Sequence, residues 1–170
     1  MAGIPFSFTS IGPGGDGTTI KFRAHLGDIS DNNSASWDEE DDMGRADKKF
    51  MYGGWSRTIS LSFNVIALSR QEHQMWLDAL NSLAEMTKPV YRGGLGFNGV
   101  MTQMVVGDLY NVPGFLEKTD FSIKTDQSWI DGRPIYIEVS ISFRVVQNRR
   151  PEYKRSDPVF IGSFGAGRES

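Results

Sequence analysis

The chain is 170 residues long, enough for one domain with a sizeable core and a terminal arm but too short for two large domains. Apolar residues (39%), aromatics (12%) and charged residues (23%) are ordinary for a folded soluble protein, and 19 glycines with 7 prolines point to many turns and a lean towards β structure. The absence of cysteine excludes disulfides, thiolate metal sites and a cysteine nucleophile, while a net charge of −3 argues against a dedicated nucleic-acid binder with a strongly basic face.

Along the chain, residues 1–15 show neither a basic n-region nor a continuous apolar h-region, so no secretion signal is expected. No stretch approaches the ~18 apolar residues that a membrane span needs. The lack of cysteine is compatible with folding in a bacterial cytoplasm. Thr18 to Leu26 is the first periodic segment, with Ile20, Phe22 and Ala24 alternating with Thr19, Lys21 and Arg23, and it reads as a strand. Residues 28–54 are then polar, acidic and poor in apolar side chains, which predicts a long loop that is either mobile or ordered by a partner.

Trp55 to Ala67 alternates strictly, placing Ile59, Leu61, Phe63 and Val65 on one face and Thr58, Ser60, Ser62 and Asn64 on the other. At Ser69 the period changes. Ser69 and Glu72 form a capping box, Trp76, Ala79, Leu80 and Leu83 follow at helical spacing, and Lys88-Pro89 closes the helix. A glycine-rich turn spans Gly93 to Gly99, Val100 to Val106 reads as a strand, and Asn111-Val112-Pro113-Gly114 reads as a turn. Phe115 to Lys124 alternates with Phe115, Thr119, Phe121 and Ile123 on one side. Ile135 to Val145 is the clearest strand, with Ile135, Ile137, Val139, Ile141, Phe143 and Val145 facing a core and Tyr136, Glu138, Ser140, Ser142 and Arg144 opposite.

The charges are unevenly distributed. Residues 28–42 hold Asp28, Asp31, Asp38, Glu39, Glu40, Asp41 and Asp42 with no base, whereas residues 144–155 hold Arg144, Arg149, Arg150, Lys154 and Arg155 against Glu152 alone. Trp37 stands inside the acidic segment with no intrachain core in reach, so it is a candidate intersubunit anchor, whereas Trp55, Trp76 and Trp129 read as core anchors.

Motifs that would carry chemistry are weak. His25 and His73 lack the spacing of a zinc helix, and no metal or cofactor is expected. The Gly12-Pro13-Gly14-Gly15-Asp16-Gly17 turn has no Lys-Ser/Thr ending and precedes a strand, unlike a P-loop. Asp38 to Asp42 does not match an EF-hand, and no nucleophile elbow is present, so no catalytic residue is assigned and the chain is expected not to be an enzyme. Among other classes, a small-ligand β-barrel carrier would need an apolar interior cavity, and the second strand faces here are rich in Ser, Thr and Asn. A hydrolase with an unrecognised site is the third class.

The order of the Trp55–Ala67 strand, the capped helix Ser69–Lys88, the glycine turn, the next strand, Gly107-Asp108-Leu109-Tyr110 with Pro113-Gly114, and the strand ending Glu138-Val139-Ser140-Ile141-Ser142-Phe143 resembles the tail-tube family. That family comprises tail tube, tube-initiator and baseplate hub proteins of contractile phages and the related type VI secretion tube. The resemblance covers about residues 55–147, and the Gly-Asp-Leu-Tyr turn and the last strand look most like tube-initiator or hub-associated members. It implies a mainly β fold with one flanking α-helix (α+β), a sandwich or barrel whose copies join edge to edge in a six-fold ring. It further implies a virion protein of the tail or baseplate, assembled in the host cytoplasm, with the adjacent tube ring and hub proteins as partners. Tape-measure protein and DNA would pass through the lumen non-specifically, along a wall for which Ser60, Ser62, Asn64, Glu138, Ser140 and Ser142 are the candidates. The main tail tube subunit and a type VI secretion-like tube protein are the nearest alternatives.

The chain then divides into a β domain over residues 1–147, with the acidic loop 28–54, and a C-terminal arm over 148–170. The candidate intersubunit residues are Trp37, Asp38, Glu39, Glu40, Asp41 and Asp42 in the loop, and Arg149, Arg150, Lys154, Arg155, Phe160 and Phe164 in the arm.

Overall fold

The computed structural model describes residues 4–12, 16–41, 48–92, 96–124 and 129–147. In chain order the elements are β1 (Pro5–Ile11), β2 (Thr19–Arg23), β3 (His25–Glu40), β4 (Lys49–Ile66), α1 (Arg70–Glu85), β5 (Val90–Arg92), β6 (Gly96–Asn98), β7 (Met101–Val106), β8 (Tyr110–Ser122), β9 (Trp129–Ile130), β10 (Arg133–Pro134) and β11 (Tyr136–Val145). Seven of the strands form one antiparallel sheet in the order β2-β1-β7-β8-β11-β4-β3, and β5-β6 and β9-β10 are separate short hairpins. The fold is mainly β with a single helix among the described residues, as the periodicities predict.

The sheet curls without closing. Phe6 on β1 meets Phe63 on β4 at 4.9 Å between ring centroids, although three strands separate β1 from β4 in the sheet. One residue, Ala24, carries the chain from the edge strand β2 to the opposite edge strand β3. Among the described residues no ladder joins those two edges, so the barrel alternative is corrected to an open, curled sheet.

The concave face holds the core. Every second residue of β4 from Ile59 to Val65 and of β11 from Ile137 to Val145 is buried there, together with Phe6, Phe8, Ile20 and Phe22. The five β11 side chains alone contribute roughly 7–15 kcal/mol of burial before entropy, at about 1.5–3 kcal/mol each. α1 covers this face with Leu80 and Leu83, while Trp76 stacks on Phe22 at 6.0 Å and 9°. Its start is the expected capping box: Ser69 Oγ accepts from Glu72 N at 3.2 Å, and Glu72 Oε2 accepts from Ser69 N at 3.2 Å.

Three expectations change. The segment 28–54 is no loop among its described residues: β3 and β4 pair antiparallel from His25↔Asn64 to Glu40↔Lys49. The predicted turn at Asn111–Gly114 lies inside β8, and the reversal falls at Gly107 to Leu109 instead. Pro113 is tolerated because its carbonyl accepts from Val146 N at 3.0 Å where β11 ends, so its missing amide falls at the end of a ladder. Gly114 is needed because a Cβ there would lie 2.1 Å from Arg144 O. Finally, a bulge opposite Ser142/Phe143 shifts β8 by one residue, so Phe115 pairs with Arg144 on the outer face while Thr119 and Phe121 pair with Ile141 and Val139.

Candidate assembly surface

β3 is 16 residues long and β4 is 18, and their outer halves extend beyond the sheet as a two-stranded arm. Two bulges, between Leu26 and Ile29 and between Ser36 and Trp37, add twist to the ribbon. At its root the polar and apolar patterns cross. Arg57 occupies a core-facing position in phase with Ile59 and Leu61, and its guanidinium donates to Asp31 twice, Nε to Oδ1 at 3.0 Å and Nη2 to Oδ2 at 2.6 Å. The two side chains are 5% and 8% exposed. The Arg57 guanidinium also lies 5.9 Å from the centroid of the buried Tyr110 ring. Burial, followed by the charge of Asp31, raises the Tyr110 pKa, which Arg57 partly offsets; the Asp31 carboxylate also accepts a hydrogen bond from the phenol.

Beyond this clamp the arm has no core to face. Trp37 stands opposite Tyr52, with their rings edge to face at 5.1 Å, and Glu39 stands opposite Phe50 on the same side. Trp37, Phe50 and Tyr52 remain 58%, 58% and 56% exposed, so the tip is an aromatic patch rimmed by Asp38, Glu39, Glu40 and Asp41. Lys48 answers Glu39 at 2.6 Å. The structure therefore brings Trp37 to Asp41 together at one end of the molecule. Asp42 lies outside the described residues, as do Arg149, Arg150, Lys154, Arg155, Phe160 and Phe164.

The outer face of the sheet gathers the hydroxyl-rich positions into rows. One row runs Ser30, Ser60, Ser142, Lys118; the next runs Ser62, Ser140, Asp120; a third runs His25, Asn64, Glu138, Ser122. Ser60, Ser62, Asn64, Glu138, Ser140 and Ser142 are thus one continuous surface on β4 and β11, and a shallow depression of about 320 Å³ lies over part of it. The charges on this side answer one another: Lys118 with Asp120 at 2.6 Å, Arg144 with Glu117 at 2.9 Å and Lys124 with Glu138 at 3.8 Å. Exposed pairs of this kind contribute little stability, but they leave the surface without a net basic field.

Two corrections concern single residues. Trp129 is 45% exposed and is not a core anchor, whereas Trp55 is half-buried and Trp76 packs against the core. His73 is buried on α1 with Nε2 2.5 Å from Pro134 O, while His25 is exposed. At the other end of the sheet, Asp16 is held well below the usual carboxylate range, first by the Ser10 hydroxyl donating at 2.6 Å and then by Thr18. Among the described residues no group of three or more metal-ligating side chains stands together.

The clamp escaped the sequence reading. Its only trace there is a charged residue, Arg57, in the apolar phase of a strand. No family model matches the chain, and no curated protein matches it. Among solved structures the chain is similar to a chain from the tail of an empty GTA particle computed with helical refinement in C6 symmetry, at 12% identity and a TM-score of 0.37, over 84% of this chain and 91% of that one. A similarity this slight assigns no role to the chain.

Proposed function

We propose that the chain is a structural subunit of a contractile phage tail, a tube-type protein that forms a six-fold ring at the junction of baseplate and tube. In this reading it is not an enzyme. The ring initiates or continues the tail tube and encloses the channel for genome ejection. One observation carries the proposal: β3, 16 residues long, is paired only with β4 among the described residues, which leaves a long open sheet edge. Such an edge invites indiscriminate strand addition unless a partner covers it, and ring closure by a neighbour's sheet covers every edge at once.

Two further features support the reading. The outer face is paved with small hydroxyl side chains and internally paired charges, which suits a wall along which a polyanion slides without sticking. The concave face is filled by Phe6, Phe8, Phe22 and Phe63, which leaves a small-ligand carrier without the apolar interior that it needs. The test is electron microscopy of the assembled full-length chain together with its tube neighbours. Closed rings around a central channel are expected, with β3 paired across each subunit boundary; a particle in which β3 stays solvent-exposed in every copy overturns the proposal.

A further inference from the structure

We infer that the aromatic tip of the arm of one copy docks on an apolar notch at the start of α1 in a second copy, so that successive copies join head to tail. This rests on the ring-forming reading and names the surfaces that make one of its contacts. Besides the tip, the structure leaves another apolar surface uncovered. Leu68 (75% exposed) and Ile130 (49% exposed) line one notch together with Arg70, His73, Asp131 and Arg133.

The two surfaces match in chemistry. The tip presents Trp37 and Phe50 among Asp38, Glu40 and Asp41. At the notch the acids are already engaged: Asp131 lies 3.8 Å from Arg70, and the Glu72 carboxylate accepts from Leu68 N at 3.0 Å and Ser69 N at 3.2 Å. Arg133 lines the notch beside the Arg70–Asp131 pair and has no ion pair among the described residues, while the α1 N-terminus is already answered by Glu72. An acidic, aromatic knob therefore meets an apolar notch at which Arg133 is the cation left for it to pair with.

Their placement fixes the occupant. The tip lies at the Lys49 end of β4 and the notch follows its Ile66 end, so they cap opposite ends of one 18-residue strand. At ~3.3 Å per residue the two stand up to about 55 Å apart. No copy can seat its own tip in its own notch, yet every copy carries both halves. A contact between two different patches of identical chains is heterologous and propagates into a ring or a filament.

The test pairs two full-length variants, each broken at one end: Trp37→Ala/Phe50→Ala at the tip and Leu68→Ser/Arg133→Glu at the notch. Each, shown folded by circular dichroism, should self-associate about tenfold or more weakly than wild type in sedimentation velocity, as expected when anchors are removed. Mixed in equal amounts they should regain a 1:1 tip-to-notch pair that no further tip or notch extends, since one intact tip meets one intact notch. A mixture that stays monomeric while wild type oligomerises overturns this inference and leaves the ring reading standing. The same holds if deletion of residues 148–170, rather than loss of a second copy, uncovers Leu68 and Ile130 to hydrogen exchange. Tip-to-notch filaments that never close into a ring overturn the ring reading alone, and a wild-type chain that stays monomeric overturns both.

Discussion

Replacing Arg57 by Met leaves a similar volume at the root of the arm but removes one partner of a bidentate pair. Asp31, whose side chain is 8% exposed, then keeps its charge away from water with no counter-charge, only the Tyr110 hydroxyl and the Asn33 amide, which donates to Oδ1 at 3.3 Å, remaining beside it. Removing one member of a buried ion pair costs about 3–5 kcal/mol, because the remaining charge has lost its counter-charge without regaining hydration. For a chain of this size that lowers the melting temperature by roughly 6–20 °C, at about 2–4 °C per kcal/mol. The double variant Asp31→Leu/Arg57→Met removes both charges and should recover most of the loss, since apolar replacements of buried pairs are often neutral. Urea unfolding of wild type, the single variant and the double variant, followed by tryptophan emission and circular dichroism, measures all three. If the single variant loses less than about 1 kcal/mol, or the double variant falls as far as the single, the clamp is not the buried charge pair described here.

Gly114→Ala should destabilise by about 1–3 kcal/mol or more, because its Cβ would overlap the Arg144 carbonyl and the Phe143 ring, and thermal melts will show it. For Asp16 the folded pKa lies below the ordinary 3.8, so its contribution is fully present above that value and is lost as pH falls through the folded value. Asp16→Asn should therefore flatten the acid limb of a stability-against-pH curve, and a carboxyl chemical shift for Asp16 that titrates at the ordinary value would refute this. Deleting Val159 to Ser170 should leave the monomer melt unchanged but weaken ring stacking or docking to the adjacent baseplate protein in co-sedimentation; unchanged assembly at physiological and raised salt alike would count against a role for that segment.

The sheet and helix were legible where a buried face imposes a period. In β4 and β11 one side meets the core, so apolar residues recur every second position, and the Ser69-Glu72 capping box marks the change to a helical period. The arm hides for the converse reason. Beyond Asp31 and Arg57 neither side of the ribbon is buried, so Asn32 to Glu40 carries no alternation although each of these residues stands in register with β4. The Phe115 assignment failed at a bulge, which reverses the faces without changing the composition, and Pro113-Gly114 mimics a turn because the ladder end excuses the proline while close packing demands the glycine. Ser60, Ser62, Ser140 and Ser142 share one face because alternation in β4 and β11 puts them opposite the core, and the two strands pair in register. The notch at Leu68 and Ile130 could not be read at all, because residues 62 positions apart meet only through the β9-β10 hairpin beside α1.

Cryo-electron microscopy of tails assembled with this chain, at a resolution that separates strands, tests the central claim most directly. The proposal predicts a closed six-fold ring in which the outer edge of β3 pairs with the neighbouring subunit's sheet and the rows containing Ser60, Ser62, Ser140 and Ser142 line the channel. Copies present singly, with β3 unpaired and those serines turned away from any channel, would contradict it.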